Sequence, residues 1–241
     1  MVGKGRWGAK MQQMLVGEGR HADFASGSRK LESESDGDFE ARMAVAFRGS
    51  GAQIAWLCVT PGPFVPLLIR AAIAARMNVL VEKPWVYSRE VTEELQQAAR
   101  HAGLQTAVHF EFCMLAEVQK WRAEFGDREE LTFGGIFDVR VADHSRIPVM
   151  QNLGSHLVAM QEYAVPRSAI SSIDCHYEAV DQRRVFLDGD EGRVGEIDFL
   201  GSKEPIIQRF LGLFEGSLGG GGFLFDFDFG WRVNERLGRF S

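Results

Sequence analysis

The chain has 241 residues, of which 45% are apolar and 25% charged, enough for one large core or two modest ones and too apolar for a disordered chain. A net charge of −6 without any basic cluster argues against a nucleic-acid partner. The cysteines Cys58, Cys113 and Cys175 lie far apart, make no metal-type spacing and fit a reduced, cytoplasmic setting; no metal is expected, and no apolar run is long enough to span a bilayer.

The first residues lack the apolar core of a signal peptide, so secretion is not indicated. They lead into Gly3-Lys4-Gly5-Arg6-Trp7-Gly8, a G-x-G-x-x-G run, and then an amphipathic stretch with Met11, Met14 and Leu15 on one helical face. Glycine at these places lets the backbone turn tightly and approach a pyrophosphate with no Cβ in the way, and the following helix offers its free N–H groups to the phosphates. Only Met1 and Val2 precede Gly3, so the strand that should lead into the loop is nearly absent. Either residue 1 lies inside a longer natural chain or the first strand is cut short, and a truncated central strand would expose apolar surface.

Residues 21–30 are expected to form the second strand, ending in Ser28-Arg29-Lys30. At that strand end an acidic residue would hold an NAD ribose through its 2′-hydroxyl. A hydroxyl with two cations suits a 2′-phosphate instead, which favours NADP slightly over NAD, although Asp23 keeps NAD open and a solvated basic turn is the plainer alternative. Residues 31–38 are polar and read as a loop and helix start, and 41–47 as a short strand or helix.

Residues 53–59 are apolar apart from Gln53, the pattern of a strand buried on both faces, and end in Thr60-Pro61-Gly62-Pro63. A helix over 64–76 follows, with Leu67, Leu68, Ala71, Ala72 and Ala75 inward, and then a short strand, 79–81, that runs into Glu82-Lys83-Pro84. Charge at the C-terminal end of a buried parallel strand sits where open α/β sheets bind ligands, and Pro84 biases Lys83 toward an extended backbone. Ser88 is a good N-cap for a helix over 89–101, Gly103 a good C-terminal stop, and 106–110 another strand. This βαβ alternation would bring Gly3, Gly5, Arg6, Trp7, Gly8, Ser28, Arg29, Lys30, Thr60, Pro61, Glu82, Lys83 and His109 to one edge of a parallel sheet, as candidate cofactor-binding residues.

With Gly3–Gly8, Val59-Thr60-Pro61 and Val79-Leu80-Val81-Glu82-Lys83-Pro84 in this order and spacing, the chain resembles the glucose–fructose oxidoreductase and inositol 2-dehydrogenase family, also written Gfo/Idh/MocA. The resemblance covers most of residues 1–110. It implies an α/β protein made of a nicotinamide-binding Rossmann domain, here 1–110, and a C-terminal α/β domain with an open, mainly antiparallel sheet, here 111–241, for substrate binding and oligomerisation. It also implies hydride transfer to or from a hydroxyl or carbonyl of a sugar, cyclitol or related small molecule, and a homo-dimer or homo-tetramer.

The second half agrees in pattern. Residues 131–142 read as a long strand broken by Gly134-Gly135, then 169–180, 183–187 and 193–199 as further strands separated by turn signals such as Asp188-Gly189-Asp190. Helices are expected over 205–214 and 225–237, with a flexible link at 219–222. Asn152-Leu153-Gly154-Ser155-His156 resembles the family's D-x-G-x-H pattern, whose aspartate and histidine face the substrate, with Asn152 in the aspartate's place. Residues four apart share a helical face, so both could point to one pocket.

The chemistry this implies has a neutral His156 taking the substrate's hydroxyl proton, cationic Lys83 stabilising negative charge on that oxygen, and Asn152 orienting imidazole or substrate. Being neutral, Asn152 would not stabilise an imidazolium as an aspartate would. Tyr177 and His144 are spare candidates. A non-catalytic nucleotide-binding or scaffold protein on the same fold is the alternative, motivated by the short first strand, the Asn152 change and Val65 where many relatives carry histidine.

Overall fold

The computed structural model describes residues 1–25, 28–139, 147–177, 181–220 and 222–240. The chain divides into one unit of Met1–His109 with Leu213–Trp231 and a second of Phe110–Gly212 with Arg232–Ser241. Residues 213–231, which the sequence assigned to the second domain, therefore return to the first unit.

The first unit is built on a parallel sheet of three strands in the order β1 (Ile54–Leu57), β2 (Asn78–Glu82), β3 (Thr106–His109). In β2, Val79, Leu80 and Val81 are all buried, because helices cover both faces of such a sheet. Beyond β1 the sheet gains, among the described residues, a single parallel bridge, Val2 to Leu57, with Val2 N donating to Trp56 O and Cys58 N to Val2 O, each at 2.8 Å. The expected strand over 21–30 does not form among the described residues; Ser26 and Gly27 lie outside them. A strand exists only where it has a partner, and here the ladder-like bonds are two, both to Met1: Ala25 N to Met1 O at 2.8 Å and Met1 N to Asp23 O at 2.5 Å.

Four helices belong to this unit's first part: α1 (Arg6–Gly17), α2 (Asp36–Gly49), α3 (Val65–Ala74) and α4 (Arg89–His101). Residues 41–47 thus resolve as helix. Ser35 caps α2 by accepting from Asp38 N, Ser88 caps α4 by accepting from Val91 N, and Gly103 ends α4 at φ +68°. The return segment seals the free edge of β3. Val108 N donates to Phe225 O at 2.8 Å, Trp85 stacks on Phe227 with centroids 4.3 Å apart, and Gln96 Oε1 accepts from both Phe227 N and Thr106 Oγ1.

The second unit opens with a 3-10 turn (Glu111–Met114) and α5 (Ala116–Phe125), a stretch to which the sequence pattern assigned no element. Its open sheet has the order β5 (Ala169–His176), β4 (Thr132–Asp138), β6 (Gln182–Gly189), β7 (Gly192–Asp198), antiparallel except for the β4–β5 pair. The mainly antiparallel, open character expected of this half is what the structure has. Gly134 and Gly135 do not break β4. A Cβ at Gly134 would come within 2.2 Å of the Phe186 ring and one at Gly135 within 2.5 Å of Leu157, so each glycine makes room for a side chain laid across the strand. Expected strand residues 140–142 and 178–180 lie outside the described residues.

Between β4 and β5 the chain forms a π-helical turn (Met150–Gly154) and α6 (Ser155–Ala164), almost wholly buried. The last helices are α7 (Glu204–Ser217) and α8 (Phe227–Leu237). Among the described residues no helix is long and apolar enough to cross a membrane.

Candidate active site

In the glycine loop the three glycines have different surroundings. Gly3 sits at φ +98°, and a Cβ there would stand 2.2 Å from Cys58 O. A Cβ on Gly8 would stand 1.9 Å from Gly3 O. These two positions let the loop turn against β1 and let α1 approach it closely. At Gly5 a Cβ would meet nothing within 4 Å. Gly5 is also the N-cap of α1, with no side chain capping the helix and no acidic residue in its first turn. The N-terminal N–H groups and the positive end of the helix therefore face an open space fit for an anion such as a pyrophosphate. Arg6 in that first turn is exposed and Trp7 half-buried.

The parallel register aligns this loop with the ends of the other strands. Gly3 abuts Cys58 just past β1, Leu57 pairs with Val81, and Glu82 pairs with His109. Thr60 and Pro61 lie on the loop after β1, exposed and half-buried, and Tyr87 pins this loop by donating to Gly62 O at 3.1 Å and accepting from Gly62 N at 3.3 Å. Burial raises the Tyr87 hydroxyl to about 12, so it remains a donor.

Glu82 and His109 turn into the unit. The carboxylate accepts from Trp56 Nε1 at 2.9 Å and faces His109 Nδ1 at 3.1 Å, and the fully buried imidazole meets the indole edge-on at 5.3 Å. This network fixes the backbone immediately before Lys83, which is half-buried one residue past β2 and precedes a cis peptide bond to Pro84. Trp56 was not singled out from sequence, since a tryptophan in an apolar strand carries no mark of its polar partner. Trp56→Phe should leave the buried carboxylate short of one donor and cost about 1–3 kcal/mol, read from urea unfolding; an unchanged midpoint would mean Glu82 does not depend on that bond.

Ser28, Arg29 and Lys30 are placed differently. Lys30 Nζ donates to Glu34 O at 2.7 Å and lies 3.2 Å from Asp36, so its charge is committed to the acidic start of α2. Arg42 reaches Arg29 O and is paired with Glu34, whose carboxyl its guanidinium lowers to about 2. Arg29 itself is exposed and Ser28 half-buried, while Asp23 is exposed and 2.9 Å from His21.

In the second unit His156 is buried in the first turn of α6. Its Nδ1 stands 3.9 Å from Oε2 of Glu111, a buried carboxylate whose other oxygen accepts from Lys203 Nζ at 3.2 Å. The Phe112 ring meets the imidazole edge-on at 4.7 Å and carries the Lys203 ammonium 4.4 Å above its centre. Sequence analysis missed Glu111 and Lys203. The available signal was a lone carboxylate inside the apolar run from Phe110 to Leu115, since a buried charge requires a partner. Asn152 lies in the π-helical turn and donates to Tyr177 Oη at 3.0 Å, which donates to Ile147 O at 3.1 Å. The wider winding of that turn replaces the α-helical i,i+4 geometry assumed for Asn152 and His156. His144 lies outside the described residues. Among the described residues, no group of three His, Cys, Asp or Glu side chains gathers as a metal ion requires.

No protein-family model and no curated protein matches the chain. Solved structures do. Myo-inositol 2-dehydrogenase from Lactobacillus plantarum superimposes with a TM-score of 0.75 at 13% identity, covering 98% of this chain and 94% of the other. GenD2 from gentamicin A biosynthesis, in complex with NAD, gives 0.72 at 16% identity over 98% and 90%. The WlbA (WbpB) dehydrogenase from Thermus thermophilus, in complex with NAD and UDP-GlcNAcA, gives 0.68 at 13% over 98% and 92%. The chain thus has the α/β fold of these dehydrogenases, the fold that its resemblance to the inositol 2-dehydrogenase family implies.

Proposed function

We propose that the chain is a nicotinamide-dependent oxidoreductase acting on a hydroxyl or carbonyl of a sugar, cyclitol or similar small molecule. The observation that carries this is the open position of Gly5 between two sterically closed glycines, at an uncapped helix N-terminus on the C-terminal edge of a parallel sheet. The names of the similar solved structures support it: one is a myo-inositol 2-dehydrogenase, one holds UDP-GlcNAcA with NAD, and another holds NAD.

Gly3, Gly5, Arg6, Trp7 and Gly8 would hold the nucleotide's phosphates, with Thr60 and Pro61 beside them. The bound nucleotide supplies the hydride acceptor or donor. His156 takes or returns the hydroxyl proton and Lys83 stabilises negative charge on the reacting oxygen, while Asn152 orients its neighbours. Glu82 and His109 act through Lys83, as the buried clamp ahead of it. The preference for NADP over NAD rests on Ser28 and Arg29, since Lys30 is engaged by α2. Residues 1–110 are proposed as the dinucleotide-binding part and 111–241 as the substrate and oligomerisation part, with 213–231 packing in the first unit. The assembly is proposed as a cytoplasmic homo-dimer or homo-tetramer.

Gly5→Ala tests this. The position has an extended backbone (φ −66°, ψ 175°) and open space, so the fold should keep its melting temperature while affinity for NADH and NADPH falls at least tenfold. Intrinsic-fluorescence titration and thermal unfolding read the two effects, and wild-type affinity in the variant would sink the reading. One observation favours the non-catalytic alternative: Asn152 is held by Tyr177. Nucleotide binding with no turnover across a panel of sugars and cyclitols would decide for it.

A further inference from the structure

We propose that Glu111 is the positioning residue for His156: it holds a proton on Nδ1 and so leaves Nε2 as the atom that exchanges a proton with substrate. This rests on the reading of His156 as the proton-moving group. Asn152 is neutral and donates to Tyr177, so position 152 brings no carboxylate to the imidazole. Glu111 brings one from another element. Its side chain is 2% exposed and belongs to the 3-10 turn that opens the second unit. A carboxylate that deep stays ionised only if it is paired, and Lys203 at 3.2 Å from Oε1 pairs it.

The other oxygen, Oε2, faces His156 Nδ1 at 3.9 Å. That distance is too long for a hydrogen bond and within reach of an ion pair, so charge couples the two groups. A carboxylate facing Nδ1 repels a lone pair there and attracts an N–H. It therefore favours the Nδ1–H tautomer of the neutral ring and stabilises the imidazolium once Nε2 has accepted a proton. The ring has little freedom to turn away, since Phe112 meets it edge-on at 4.7 Å and Phe137 lies 6.3 Å from it on β4. Lys203, whose ammonium lies over the Phe112 ring, tempers the pull of the carboxylate. Glu111 thus does at a distance what an aspartate at 152 would have done.

Imidazole nitrogen spectra of the 15N-labelled full chain test this, at a pH where the rings are neutral. The chain has six histidines, and the His156 signals are those lost in His156→Gln. Wild type should show a protonated Nδ1 and a bare Nε2 for His156. The double variant Glu111→Met/Lys203→Met removes both charges of the pair together, and it should lose that tautomer. A protonated Nε2 in wild type overturns the proposal without any variant, and so does an unchanged tautomer in the double variant. Titration of the wild type with NADH and NADPH separates the two levels. Failure of both to bind would sink the dehydrogenase reading and leave the Nδ1 result intact. A protonated Nε2 in a chain that binds NADH would sink the Glu111 assignment alone.

Discussion

Lys83→Ala is expected to lower turnover by about 10²–10³-fold, the scale of removing one preorganised group that stabilises oxyanion charge, while affinity for NADH stays within about twofold. In β2 the residues Val79–Val81 are buried on both faces. Its last residue, Glu82, is held by Trp56 and His109, so the lysine that follows leaves from a fixed point. A cation that is already in place when charge develops on the substrate oxygen costs no reorganisation at that moment. A flexible surface lysine would not have this property, and its loss would cost far less. The check is kcat and KM on whichever sugar or cyclitol supports turnover, alongside a fluorescence titration of NADH. Turnover close to wild type in the variant would remove Lys83 from the chemistry. A fall in NADH affinity as large as the fall in kcat would make it a nucleotide ligand instead.

Gly8→Ala should be the most destructive single methyl in the first unit. The added Cβ would stand 1.9 Å from Gly3 O and 3.1 Å from Gly3 C, both backbone atoms. Gly3 cannot yield easily, because it occupies φ +98° with its own Cβ direction closed by Cys58 O at 2.2 Å. Relief would require α1 to move off the strand, so the cost should reach the upper end of overpacking, roughly 3 kcal/mol. Urea unfolding measures this, and nucleotide binding should fall with it. The contrast with Gly5→Ala matters more than either result alone. One methyl should damage the fold, and the other, three residues earlier, should damage only the site. Equal stability in the two variants would mean that the loop is not packed as described.

Much of the first unit could be read from sequence because its signals are local. Ser88 marks a helix start through a bond to the N–H group three residues on, and β2 declares itself as an apolar run ended by Glu82-Lys83-Pro84. The expected strand over 21–30 did not form among the described residues because pairing is not a local property: Met1 offers it two hydrogen bonds, to Asp23 and Ala25, and residue pattern alone cannot count partners. The candidate site divides along the same line. Gly3, Gly5 and Gly8 were readable as a motif, though which glycine is closed and which open depends on Cys58, far along the chain. Glu111, His156 and Lys203 meet across separations as large as 92 residues and were not readable as a group. The aromatic that orders them, Phe112, looks in sequence like any core phenylalanine. The π rather than α winding of the turn that carries Asn152 was not legible either.

The return of residues 213–231 to the first unit bears on how the protein is made. During synthesis the ribosome releases β1, β2 and β3 before their partners, and Val108 waits for Phe225 and Trp85 for Phe227 until those later residues have emerged. The first unit therefore cannot reach its native state from residues 1–109 alone in the usual vectorial order. Until then one sheet edge and a large indole stand uncovered, a nascent state that invites chaperone capture. A gene fragment ending at His109 would carry the same defect permanently.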